Sequence, residues 1–256
     1  MTHLRVAVSF LTILPVGPKQ LPARLAPSVL YFPLVGLVLG CALWGLDTGL
    51  REVFPSGLSS AIVLVFLIAA TRALHVDGFL DCCDALFGAH TRERRLEILR
   101  DPHVGAFAVI GGAALLLVQW SSLAALPDAV RPEVLLLMPC LSRLAIAVGI
   151  FRFPYARKEG LGAAFQLGKS WALIPAALVL PLAAGALLAG WAGLIFVAIA
   201  IGVAVLLGAW IARLLGGLTG DGYGAINEVT MVALLAAAAA FVERAPQLFD
   251  APLAIG

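Results

Sequence analysis

Long apolar runs divided by short polar segments dominate the chain. Seven runs stand out, at about 28–46, 57–74, 104–126, 133–151, 171–190, 192–212 and 229–243. A helix needs about 20 residues to cross a hydrocarbon core of roughly 30 Å. The pattern therefore predicts an all-α, polytopic membrane bundle with about seven transmembrane helices. Only the Gly190-Trp191 region separates the fifth and sixth runs, which predicts a tight helical hairpin. The seventh is short and holds the alanine run Ala236 to Ala240. Near the N-terminus, Val6 to Val16 is apolar but interrupted by Ser9 and Thr12 and ended by Pro15, with no small-residue cleavage site after it. An interfacial helix is expected there, not a removable leader. No linker or low-complexity tract divides residues 1–256, so one integral-membrane domain is expected.

Composition sharpens this reading. The chain is 62% hydrophobic and 12% charged, with mean hydropathy +1.03. A soluble domain would be nearer half apolar and a quarter charged. With the N-terminus in the cytoplasm, 13 of the 17 Lys and Arg residues fall on inner segments. Arg51, Arg131 and Arg244 fall outside, and Arg143 lies within the fourth span. That bias follows the positive-inside rule. It also puts the polar segments 75–103, 152–170 and 213–228 on the cytoplasmic side, where the active site is expected. Gly36 and Gly40, four apart on the first span, would let two helix backbones approach closely. Cys41, Cys82, Cys83 and Cys140 show neither CxxC nor zinc-finger spacing, and read as small buried residues.

The candidate chemistry is concentrated. Asp77, Asp81 and Asp84 fall at i, i+4 and i+7, so a helix stacks them on one face. Like charges so placed repel, which calls for a cation. Carboxylate oxygens suit a hard divalent ion, Mg²⁺ above all. Thr91 to Asp101 reads as a short amphipathic helix whose end, Arg100-Asp101, offers a phosphate contact and a further carboxylate. An arginine at the centre of a span is costly without a partner, so Arg143 reads as a phosphate ligand or a buried ion pair. Arg157 with Gly160 and Gly162 forms a cationic, glycine-bearing loop, though not a Walker loop. Gly216 to Glu228 carries Gly220, Asp221 and Glu228 in a glycine-rich stretch read as a flexible loop, with Asn227 and Glu228 opening the last span. A helix-capping turn is its plainer alternative.

These segments resemble the cobalamin synthase family, the adenosylcobinamide-GDP ribazoletransferases. The resemblance rests on His75-Val-Asp-Gly-Phe-Leu-Asp-Cys-Cys-Asp-Ala-Leu-Phe87, Arg95-Leu-Glu-Ile-Leu-Arg-Asp101, Gly160-Leu-Gly162 and Gly216 to Glu228. Phe10 to Pro15 and Phe32 to Gly36 add to it, so it spans most of the chain; Ala85 departs where glycine is usual. The resemblance implies a Mg²⁺-dependent transferase joining adenosylcobinamide-GDP and α-ribazole, or its 5′-phosphate. The products are adenosylcobalamin, or its phosphate, and GMP. It implies Asp77, Asp81 and Asp84 as metal ligands, and Asp81, Asp84, Asp101 and Asp221 as the catalytic carboxylates. Arg100, Arg143, Arg157, Gly160, Gly162, Gly220 and Glu228 would bind substrate phosphates.

Two other readings compete. A CDP-alcohol phosphotransferase of phospholipid synthesis uses related aspartates, but wants D-G-x-x-A-R where Asp81-Cys82 stands at the last two positions. A cation-coupled transporter also uses intramembrane carboxylates, but nearer the midplane. The expected surroundings are the lipid bilayer of the cell (inner) membrane, without nucleic acid. Assembly as a homo-oligomer or with other corrinoid-pathway enzymes is left open.

Overall fold

The computed structural model describes residues 1–157, 161–170 and 172–250. Among these every named element is a helix, without a named strand. Its α-helices are α1 (Thr2–Leu11), α2 (Phe32–Arg51), α3 (Ser56–Ala70), α4 (Leu74–Gly88) and α5 (Arg92–Ile98), followed by α6 (Ala106–Ala124), α7 (Arg131–Arg152), α8 (Leu161–Ala164), α9 (Leu173–Leu215) and α10 (Gly220–Arg244). Five of the apolar segments are long enough to cross a membrane, or six if the bent pair α3–α4 forms one span.

The axis of the bundle is α7. Its sequence is apolar on every side, the mark of a helix enclosed by others, and every residue from Leu137 to Phe151 is buried. α2 lies along one flank, α9 and α10 along others. The α2 contact depends on the glycine pair: a Cβ on Gly36 would collide with the carbonyl oxygen of Pro139, and one on Gly40 with that of Leu136. Cys82, Cys83 and Cys140 are buried as expected, but Cys41 is exposed because it lies on the face of α2 turned from this contact.

Three boundaries differ from the apolar pattern. α9 runs 43 residues, which straight would be roughly 65 Å, twice a bilayer core. It is broken at Ala189 and Gly190, where Gly190 adopts φ 58°. Gly185 and Gly193, either side of the break, meet so closely that a Cβ on Gly185 would stand 2.9 Å from the Gly193 carbonyl. That is the predicted hairpin. Conversely, the run at 57–74 ends early, at Ala70. Arg72 and Ala73 then take left-handed φ values of 54° and 56°, rare for residues with a Cβ, and α4 leaves at 90° to α3. Bonds from Thr71 Oγ1 to the Leu67 carbonyl (3.0 Å) and from Ala73 N–H to that of Ile68 (2.8 Å) hold this elbow. Finally, α10 begins at Gly220, so the last span is long rather than short.

At the end of the bundle reached by the C-terminus of α2, an unforeseen ion pair joins α2 to α7. Arg131, expected on an exterior loop, is 1% exposed. Its Nε and Nη2 donate to the two oxygens of Asp47, both at 2.7 Å, and Nη2 also reaches Ser60 Oγ at 3.0 Å. Removing one partner of such a pair strands the other charge. Asp47→Ala should cost about 3–5 kcal/mol in detergent unfolding experiments, with most of it regained in Asp47→Leu/Arg131→Met.

Candidate active site at one end of the bundle

The elbow at Arg72-Ala73 aims α4 along the first turns of α10. Two glycines set the separation. A Cβ on Gly78 would lie 2.9 Å from the Cα of Asp221, and one on Gly224 would lie 2.8 Å from the His75 carbonyl. The glycine of the Asp77-Gly78 pair therefore admits the backbone that carries Asp221. Thr219 caps α10, its Oγ1 accepting from Gly222 N–H at 3.2 Å. The glycine-rich stretch is thus not a flexible loop. Gly220, Gly222 and Gly224 fall in the first turns of a helix, with Gly224 packed against α4, and Asn227 and Glu228 lie two turns inside it.

Asp77 is exposed, and Asp81 and Asp84 are half-buried on the same face of α4. Asp81 stands within electrostatic range of Asp77, Asp84, Asp221 and Arg157. Arg157 is the clasp of the site, its Nη2 donating to Asp221 Oδ2 at 3.0 Å and to the Leu99 carbonyl at 3.1 Å. A short extended bridge positions it: Ala156 N–H donates to the Leu218 carbonyl (2.7 Å), and Leu218 N–H to that of Pro154 (2.8 Å). Behind it, Tyr155 packs on Gly162, where a Cβ would strike the phenol ring, and lies beside Tyr223 with ring centroids 6.4 Å apart. Gly162 thus gives the Tyr155 ring its place. Arg92 closes the assembly, its Nε donating to the Leu215 carbonyl at the end of α9 (2.7 Å).

Asp84 is differently placed. Its Oδ2 accepts from Gly105 N–H at 2.6 Å and its Oδ1 from Ala108 N–H at 2.9 Å, at the N-terminus of α6. Among the described residues, the side chains of Asp77 and Asp81 have no hydrogen-bond partner.

The remaining predicted residues divide. Arg100 is exposed just past α5. Asp101 is exposed beside it, where His103 donates to Oδ1 through its backbone N–H (3.0 Å) and meets it through Nδ1 (2.5 Å). Those bonds hold the Asp101 carboxyl below the usual carboxylate range. A Cβ on Gly220 would face open space, and Gly160 lies outside the described residues. Arg143 and Glu228 enter the bundle interior, 1% and 4% exposed. Glu228 accepts from Gln119 Nε2 (2.9 Å) and Asn227 Nδ2 (3.0 Å), and Arg143 donates to Ser142 Oγ (3.0 Å) with the Glu228 charge nearby. None of these bonds reaches the aspartate face, and Gln119 was missed by reading residues singly. Its signal was a polar side chain inside an apolar run.

Among the described residues, no three His, Cys, Asp or Glu side chains converge as a metal cage. Mg²⁺ does not require one, since it typically takes one or two carboxylates with water and substrate phosphate. Two carboxylates one turn apart, near Asp221 and without a hydrogen bond among the described residues, fit that demand.

Fold and site together define a polytopic helical membrane protein with a carboxylate- and guanidinium-lined end. Its sequence matches the cobalamin-5-phosphate synthase profile over residues 3–239, and the chain belongs to that family. It is 37% identical over 243 residues to the adenosylcobinamide-GDP ribazoletransferase of Desulfitobacterium hafniense, covering 92% of this chain and 95% of the relative. Proteins of the same name from Syntrophobacter fumaroxidans (40% over 246 residues; 93% and 98%) and Stutzerimonas stutzeri (40% over 253; 95% and 100%) are similarly related. No solved structure matches the chain. The chain is an enzyme, a transferase of cobalamin biosynthesis.

Gly78→Ala should push α4 from α10, costing about 1–3 kcal/mol and most of the turnover. Gly220→Ala, whose Cβ meets nothing within 4 Å, should leave the thermal midpoint nearly unchanged. Thermal unfolding in detergent compares them.

Proposed function

We propose that the α4–α10 site joins adenosylcobinamide-GDP to α-ribazole or its 5′-phosphate, releasing GMP, with Mg²⁺. The observation that carries this is the pair Asp77 and Asp81, which accept no hydrogen bond among the described residues, set against Asp221 and Arg157. The names of the relatives supply the substrates. Asp77 and Asp81 would hold Mg²⁺, with Asp221 opposite. When bound, the ion neutralises diphosphate charge and eases departure of the leaving oxygen.

Phosphoryl transfer asks a protein chiefly for positioning and charge neutralisation. A ribose hydroxyl of α-ribazole attacks the phosphorus next to the corrinoid's aminopropanol arm. The new P–O bond forms as the bond to the bridging diphosphate oxygen breaks, and that oxygen leaves with GMP. A carboxylate of the α4 face takes the hydroxyl proton. Arg157, anchored by the Leu99 carbonyl and Asp221, is placed to meet phosphate oxygens. Its planar guanidinium suits them better than an ammonium would.

The same reading puts the site on the cytoplasmic side of the inner membrane, with the N-terminus inside and seven crossings. The two arms of α9 count separately, and α3 with α4 counts as one. The bias of Lys and Arg along the chain supports that orientation.

Purified protein with both substrates and Mg²⁺ should release GMP and corrinoid product in equal amounts. EDTA should stop the reaction, and Asp81→Ala should slow it by about 10²–10³-fold while leaving the protein folded. Release of GMP without a joined corrinoid would contradict the reading.

A further inference from the structure

Asp84 belongs by sequence with Asp77 and Asp81, and by structure with α6. The first N–H groups of a helix have no partner within it. They are commonly met by a side-chain oxygen just before the helix. Here the carboxylate arrives from 21 residues earlier, on another helix, and both of its oxygens are engaged, by Gly105 N–H at 2.6 Å and Ala108 N–H at 2.9 Å. Position 105 is fitted to it: a Cβ there would stand 2.5 Å from Oδ1 and 2.9 Å from Oδ2. The negative charge also sits where the dipole of a helix favours it. The segment between Leu99, held by Arg157, and Gly105, held by Asp84 of α4, is thereby fixed at both ends.

We infer that Asp84 is a positioning residue, a clasp between α4 and the start of α6, and that it does not ligate the metal. The inference rests on the Mg²⁺ reading above only for its second half. Both oxygens already accept from backbone donors, which leaves each one lone pair for a metal and fixes the carboxyl against the start of α6. Among the described residues, Asp77 and Asp81 carry no such engagement. Three aspartates on one helical face thus divide, among the described residues, into two that accept no hydrogen bond and one that holds the frame.

The test uses the full chain in detergent, with Mn²⁺ as probe, its free concentration followed by paramagnetic resonance. Asp84→Ala and Gly105→Ala should each keep the Mn²⁺ dissociation constant within about twofold of the parent. Asp81→Ala should weaken it markedly. Well below their unfolding midpoints, both clasp variants should lose about 10–100-fold in kcat with KM for the corrinoid little changed. Their double variant should be no worse than Asp84→Ala, since both break one contact. Should Asp84→Ala not fold, Asp84→Asn, which keeps one acceptor oxygen, carries the same comparison. Mn²⁺ binding lost in Asp84→Ala as fully as in Asp81→Ala would overturn the inference, and so would multiplicative losses in the double variant. If the parent itself binds no Mn²⁺, the metal reading fails, while non-additivity in melting and kcat still decides the clasp.

Discussion

The close approach of α4 to α10 is the contact on which the rest of this end of the molecule depends. Two positions without side chains make it: Gly78 beneath the Cα of Asp221 and Gly224 against the His75 carbonyl. Without that approach Asp221 would belong to a different part of the surface from Asp77 and Asp81. The left-handed residues Arg72 and Ala73 are the conformational cost of it, since α3 must turn by 90° for α4 to meet α10. Non-glycine residues are held in that region only where their surroundings fix them. Here the Thr71 and Ala73 bonds to the end of α3 supply part of that hold.

Carboxylates in a chain this apolar sort by what they touch. Asp47 has Arg131, and Glu228 has Gln119, Asn227 and the nearby charge of Arg143. Asp84 has two backbone N–H groups, and Asp221 has Arg157. Each of these is a charge whose cost in a poorly hydrated setting is met within the protein. Asp77 and Asp81 accept no hydrogen bond among the described residues, although the Arg157 charge lies near Asp81. Their oxygens are open to a cation, and they adjoin Arg157.

Much of the fold was legible because the membrane imposes a simple rule: apolar runs of sufficient length become helices. The hairpin at Gly190, the Gly36–Gly40 contact and the short helix after Thr91 all followed from spacing and punctuation. The start of α10 did not, because Gly220 to Glu228 reads as a loop by composition. Gly224 serves a neighbouring helix that a single-sequence reading cannot see. Arg131 was misplaced for a related reason: a basic residue beside a span counts as a loop charge until its partner, Asp47, is found 84 positions away. Of the candidate site, the α4 aspartates, Asp221 and Arg157 were visible as residue types. That Arg143 and Glu228 turn inward, and that Asp84 faces α6, depends on helix orientation, which spacing alone leaves open.

The central claim is that Asp81 on α4 and Asp221 on α10 act as one unit around the transferred phosphate. A double-mutant cycle on kcat tests it most directly, with Asp81→Asn, Asp221→Asn and the pair measured at saturating substrate and Mg²⁺. Residues of one unit lose their function together, so the pair should be no slower than the slower single variant. Losses that multiply would mean that the two carboxylates act independently, and that the α4–α10 approach does not build the site.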